Sequence, residues 1–66
     1  MRYFGSITIQ EKATNDWRGF VCCHDEHRQR WELRGIYGVT PGEAAENAYE
    51  AFLSDDWTEY GYILKD

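Results

Sequence analysis

The sequence predicts an α+β fold: a small three- to four-stranded, mainly antiparallel sheet with one helix packed on one face, in the order βββαβ. Three observations lead there. Residues 3–39 hold three short runs of β-branched and aromatic residues separated by polar turns. Residues 40–53 switch to helical spacing behind a helix-start signature, and residues 60–65 return to strand-like composition. The chain has 66 residues, so residues 1–66 read as a single domain. A domain of this size buries only roughly 60% of the surface its unfolded chain exposes. Three Trp, five Tyr and three Phe suit such a core, because a large ring buries much area at low entropic cost.

In the first run, residues 3–10, Tyr3, Gly5, Ile7 and Ile9 alternate with Phe4, Ser6, Thr8 and Gln10, the period of a strand. Residues 11–16 form a polar turn. Residues 17–23 read as a second strand, residues 24–30 as a second polar turn, and residues 31–39 as a third strand. Thr40-Pro41-Gly42-Glu43 is a capping box: Thr40 is the N-cap, Pro41 occupies the first helical position, and Glu43 reaches back to the cap. The helix should end near Leu53 or Ser54. Its apolar face centres on Ala45, Ala48 and Phe52, flanked by Ala44, Tyr49 and Ala51. Residues 55–59 read as a turn and residues 60–65 as a last strand on a sheet edge. Three sequential strands make a meander, and one helix covers one of its faces. The alternation places Phe4, Phe20 and Ile36 on the open face, where they would support a homodimer contact.

Charge narrows the function classes. The formal net charge is −5. Residues 1–42 carry six basic and five acidic residues; residues 43–66 carry seven acidic residues and only Lys65. From Gly35 to Leu64 there is no Lys or Arg. Such a surface repels phosphate, so nucleic acid is not expected as a partner of the C-terminal half. No apolar run approaches the ~20 residues of a membrane span. Residues 1–10 lack the apolar core of a signal peptide, so a cytoplasmic location is expected.

Candidate chemistry is sparse. Cys22, Cys23, His24 and His27 are potential zinc ligands, but adjacent residues of a strand point to opposite faces and cannot easily converge on one ion. The expectation is therefore no metal and no cofactor. A Cys–His nucleophile would need a substrate pocket for which 66 residues leave little room. The chain is expected not to be an enzyme. Trp17, Phe20 and Trp31 with Arg18, Arg30 and Arg34 suggest an alternative, an aromatic sheet face that stacks RNA bases. Another alternative is a phage-type inhibitor that mimics the charge of nucleic acid.

The favoured candidate site is acidic. Glu43, Glu46, Asn47 and Glu50 fall within about 100° on a helical wheel. Asp55 and Asp56 follow the helix C-terminus, where the macrodipole is already negative. Glu46 and Glu50 repel each other at i,i+4. Charges placed against helix stability point to a basic protein partner that meets them.

The stretch Gly38-Val39-Thr40-Pro41-Gly42-Glu43-Ala44-Ala45-Glu46-Asn47-Ala48, with the order of elements, resembles the HicB antitoxin family, the likeness centring on residues 38–52. There a strand leads into a Thr-Pro-Glu-Glu-Ala-like helix start and an Ala-rich helix. The resemblance implies a degenerate RNase H-like βββαβ domain that binds and neutralises a small basic RNase toxin. The combined expectation is a non-enzymatic protein-binding module, an antitoxin-like inhibitor that presents Glu43, Glu46, Asn47, Glu50, Asp55 and Asp56 to a basic partner.

Overall fold

The computed structural model describes residues 2–65. Its elements are β1 (Tyr3–Ala13), β2 (Asp16–His24), β3 (Arg30–Gly38), α1 (Pro41–Leu53), a 3-10 turn (Trp57–Tyr60) and β4 (Ile63–Lys65). The strands form one antiparallel sheet in the order β1-β2-β3-β4, with the helix between β3 and β4 in sequence. The α+β class and the βββαβ order are those the residue pattern predicts.

The first hairpin is longer than expected. β1 continues through Glu11 and Lys12, and β2 begins at Asp16, leaving Thr14 and Asn15 as the connection. Asn15 has φ 58°, a left-handed conformation that Asn tolerates better than most residues. β1 is an edge strand, and charged side chains at its end are the usual protection of an unpaired edge. Eleven residues at a rise of about 3.4 Å give β1 a length approaching the 38 Å long axis of the molecule.

Two bulges decide which side chains face the helix. The β1–β2 register shifts between Phe4 and Ser6, so Phe4 lies on the same side as Ile7 and Ile9. Its ring meets Tyr49 and Phe52 at 5.5 and 5.2 Å. In β3 the register moves from Leu33 opposite Val21 to Ile36 opposite Gly19, so Arg34 and Gly35 together oppose Phe20. Gly35 has φ 74°, the left-handed glycine of a common bulge type. Ile36 thereby joins Leu33 against the core. The expected open face is corrected accordingly: Phe20 is on it, whereas Phe4 and Ile36 are on the helix side. An inserted residue flips every side chain beyond it, and strict alternation cannot show that.

Thr40 caps α1 as expected; its hydroxyl accepts the Glu43 amide at 3.1 Å. Pro41 opens the helix and Ser54 closes it. The buried helical residues are Ala44, Ala48, Ala51 and Phe52, so the inward face is turned away from Ala45, which is half-exposed. Small side chains let the helix approach closely. A Cβ on Gly38 would lie 2.2 Å from the Ala44 amide nitrogen, so only glycine fits where β3 turns into α1.

The core joins Val21, Cys23 and Leu33 of the sheet to Ala48, Ala51 and Phe52 of the helix, completed by Trp57 and Tyr62. Trp57 lies in the segment expected to be a plain turn, yet it is only 4% exposed. Its ring packs on Trp31 and Tyr62, at 5.7 and 5.0 Å between centroids, and its indole N–H donates to the Phe52 carbonyl at 2.8 Å.

Candidate functional site

The outer surface of α1 carries a shallow groove of about 490 Å3 lined by Ala45, Glu46, Tyr49, Glu50 and Leu53. Its floor is one stripe at i, i+4 and i+8: Ala45, Tyr49 and Leu53. Leu53 is 60% exposed and Tyr49 48% exposed, and one helical turn apart they make a continuous apolar strip. Tyr49 is fixed from behind by Phe4 and Phe52, so its ring is a supported apolar platform. Glu46 and Glu50 are exposed beside it. An apolar strip edged with carboxylates fits a partner segment that combines apolar and cationic side chains.

The six residues expected from sequence divide into two groups. Glu43, Glu46 and Glu50 are exposed along α1, as the wheel implies. Asn47 and Asp56 have side-chain work within the fold, whereas Asp55 takes part through its main-chain carbonyl. Asn47 is half-buried, and its side-chain N–H donates to the Tyr37 carbonyl at 3.0 Å, tying α1 to β3. Asp56 caps the 3-10 turn; its carboxylate accepts the Thr58 hydroxyl at 2.6 Å and the Thr58 amide at 3.2 Å. These bonds, the hydroxyl's first, hold its pKa below the usual carboxylate value. Asp55 is exposed, but its carbonyl accepts a guanidinium N–H of Arg2 at 3.1 Å.

Arg2 also corrects the electrostatic argument for Asp55 and Asp56. Its guanidinium donates to the Ser54 carbonyl, stacks 4.3 Å from the Trp57 ring, and pairs with Glu26 at 3.5 Å. The negative end of α1 therefore does receive a cation, supplied from the far end of the chain rather than from its own last turn. A contact spanning 52 positions leaves no local signal. Sequence reasoning also missed Tyr49 and Leu53 as the apolar half of the surface. Their spacing with Ala45 is visible in the sequence, but the helical wheel places Tyr49 at the flank of the inward face.

The opposite side of the sheet is polar. Ser6, Thr8, Gln10, Phe20, Cys22 and Glu32 surround a depression of about 300 Å3. Arg18 and Arg34 face the same way and are bonded to Asp16 and Glu32 at 2.7 and 2.6 Å. Trp17 pairs with Gly38 and Trp31 packs on Trp57, so both indoles belong to the helix side. Of the three aromatics expected to stack bases, Phe20 alone faces outward.

Cys22 and Cys23 diverge as adjacent strand residues must. Cys22 is half-buried on the open face, and Cys23 is fully buried in the core. Burial pushes the Cys23 thiol up to about 11, the reverse of an activated nucleophile. Among the described residues, no group of three or more His, Cys, Asp or Glu side chains is placed to hold a metal ion. No described helix is long and apolar enough to cross a membrane.

No protein-family model, no curated protein and no solved structure matches this chain significantly.

Proposed function

We propose that this chain is a cytoplasmic, non-enzymatic protein-binding module, an inhibitor of the antitoxin kind, that receives a basic partner on the outer face of α1. The observation that carries the reading is the groove itself: Tyr49 and Leu53 exposed along one helix, edged by Glu46 and Glu50, in a stretch with no Lys or Arg from Gly35 to Leu64. An apolar anchor supplies affinity once water is excluded, while carboxylates at the rim steer a cationic partner and reject an acidic one. The resemblance of residues 38–52 to HicB antitoxins supports the same partner class, a small basic protein. The open sheet face, polar around Phe20, offers less for a homodimer, and its single outward aromatic offers less for RNA.

Affinity capture from the native host tests the reading. Wild type and the double variant Glu46→Lys/Glu50→Lys serve as paired baits, with Tyr49→Ala as a third. A basic protein retained by wild type and lost with both variants is the expected result. A protein retained equally by all three baits would move the interface off α1.

A further inference from the structure

The β2–β3 hairpin end and the tip of β4 form a second charged surface, on the other side of the molecule from the α1 groove. Cross-strand partners in a sheet share a face, with Cβ atoms about 5 Å apart. His24 is opposite Arg30, and Arg30 is opposite Lys65, so three nitrogen-bearing side chains stand abreast across three strands. Arg28 joins them from the turn, where it has φ 64°. With Gln29 these four line a depression of about 470 Å3.

The arrangement opposes stability. Like charges directly opposite each other destabilise a sheet, and Arg30–Lys65 is one of the three residue pairs that hold β4. Among the described residues, the acids nearest this corner are bonded elsewhere. Glu32 accepts Arg34 at 2.6 Å, although it also feels Lys65 and Arg30 through space. Glu26 pairs with Arg2. Asp25 turns inward to the His27 and Gln29 amides and the Trp31 indole. Among the described residues, no salt bridge includes Arg28, Arg30 or Lys65.

We infer that this corner of the sheet binds a single phosphate group, with Arg28, Arg30 and Lys65 donating to its oxygens and His24 bordering it. A guanidinium matches two phosphate oxygens at once, and an ammonium adds a compact point charge. One dianion between Arg30 and Lys65 would turn the repelling pair into a bridge that fastens β4 to β3. The ligand is a phosphomonoester or free phosphate rather than a nucleic-acid backbone. A run of phosphates would have to continue over Glu32 and the Arg18–Asp16 pair on a chain of net charge −5.

Inorganic phosphate, phenyl phosphate and an unphosphorylated single-stranded oligonucleotide are titrated at matched ionic strength, followed by amide chemical shifts and melting temperature. Both small phosphates should give saturable shifts centred on residues 24–30 and 63–65 and should raise the melting temperature, whereas the oligonucleotide should give neither. Arg30→Gln and Lys65→Gln should each weaken phosphate binding about tenfold or more, as loss of a charged hydrogen bond implies. Without phosphate each variant should melt at or above the wild-type temperature, because the repelling pair is gone. Phosphate stabilisation that never saturates, or that survives in both variants, would mark a general salt effect and overturn the site. Tighter binding of the oligonucleotide than of phosphate would overturn the single-phosphate ligand.

Discussion

Asp25 shows how one polar residue organises a hairpin end. The sequence around it reads as a generic polar turn, yet the Asp25 carboxylate is buried and accepts three N–H groups, at 2.8 Å from His27, 2.9 Å from Gln29 and 3.0 Å from Trp31. The Trp31 bond is the largest cause holding its pKa below the usual carboxylate range. A carboxyl with a lowered native pKa contributes stability that is complete above its unfolded value, about 4, and is lost as pH falls through the native value. Asp25→Asn should therefore melt below wild type at pH 7, and the difference should shrink as pH drops below about 4. A difference that stays constant from pH 7 to 3 would mean that the charge is not what the turn uses. Tyr62 is the converse case. Its hydroxyl is buried beside the Cys23 thiol without a well-formed hydrogen bond, and burial raises its pKa. A buried hydroxyl left unpaired costs about 1–3 kcal/mol, so Tyr62→Phe should be as stable as wild type or more so in denaturant melts. A loss above about 1 kcal/mol would reveal a partner for that hydroxyl.

At the scale of elements, legibility followed the range of the interactions. The cap of α1 was readable because the Thr40 hydroxyl and the Glu43 amide lie within one turn and Pro41 opens the helix; of the expected reciprocal box, the bond from the Glu43 amide to Thr40 is the half observed among the described residues. Thr40→Ala should cost about 1 kcal/mol by equilibrium unfolding, and an unchanged midpoint would argue against the capping bond. The three strands were readable from alternation and their order from chain sequence. Their faces were not, because the shifts at Phe4/Ser6 and at Gly35 reverse the pattern and are set by pairing partners. Nor was the use of Gly38. It reads as a permissive point near a strand end, but the Ala44 backbone occupies the space of its Cβ. Gly38→Ala should cost about 1–3 kcal/mol or more, since backbone rather than a flexible side chain must yield. If that variant unfolds at the wild-type denaturant midpoint, the helix and β3 do not meet as closely as described. Trp57 escaped notice for a related reason: an indole between acidic residues looks like a surface turn until Trp31, Tyr62 and Arg2 arrive from distant positions.

The molecule as a whole distributes its basic residues unevenly. The acids of residues 43–50 run along the exposed side of α1, while Arg18, Arg30, Arg34 and Lys65 lie along β2, β3 and β4. Half of that division was legible, since the absence of Lys and Arg from Gly35 to Leu64 is a fact of sequence. The other half required the sheet register, which brings Lys65 next to Arg30, and the position of Arg2, which supplies a cation to the negative end of α1 and so answers the macrodipole argument at Asp55 and Asp56. Glu46 and Glu50, beside Tyr49 and Leu53, remain the residues on which the proposed interaction depends. The association rate of the captured basic partner with wild type and with Glu46→Lys/Glu50→Lys, by surface plasmon resonance at two salt concentrations, is the most direct test. Both side chains are exposed and repel each other across one turn, so the variant should melt at the wild-type temperature or slightly above. Its association should be slower by about tenfold or more at low salt, and the gap should narrow at high salt as the Debye length falls. Equal association rates for the two proteins at both salts would contradict the account and leave the acidic face of α1 as a solvated surface.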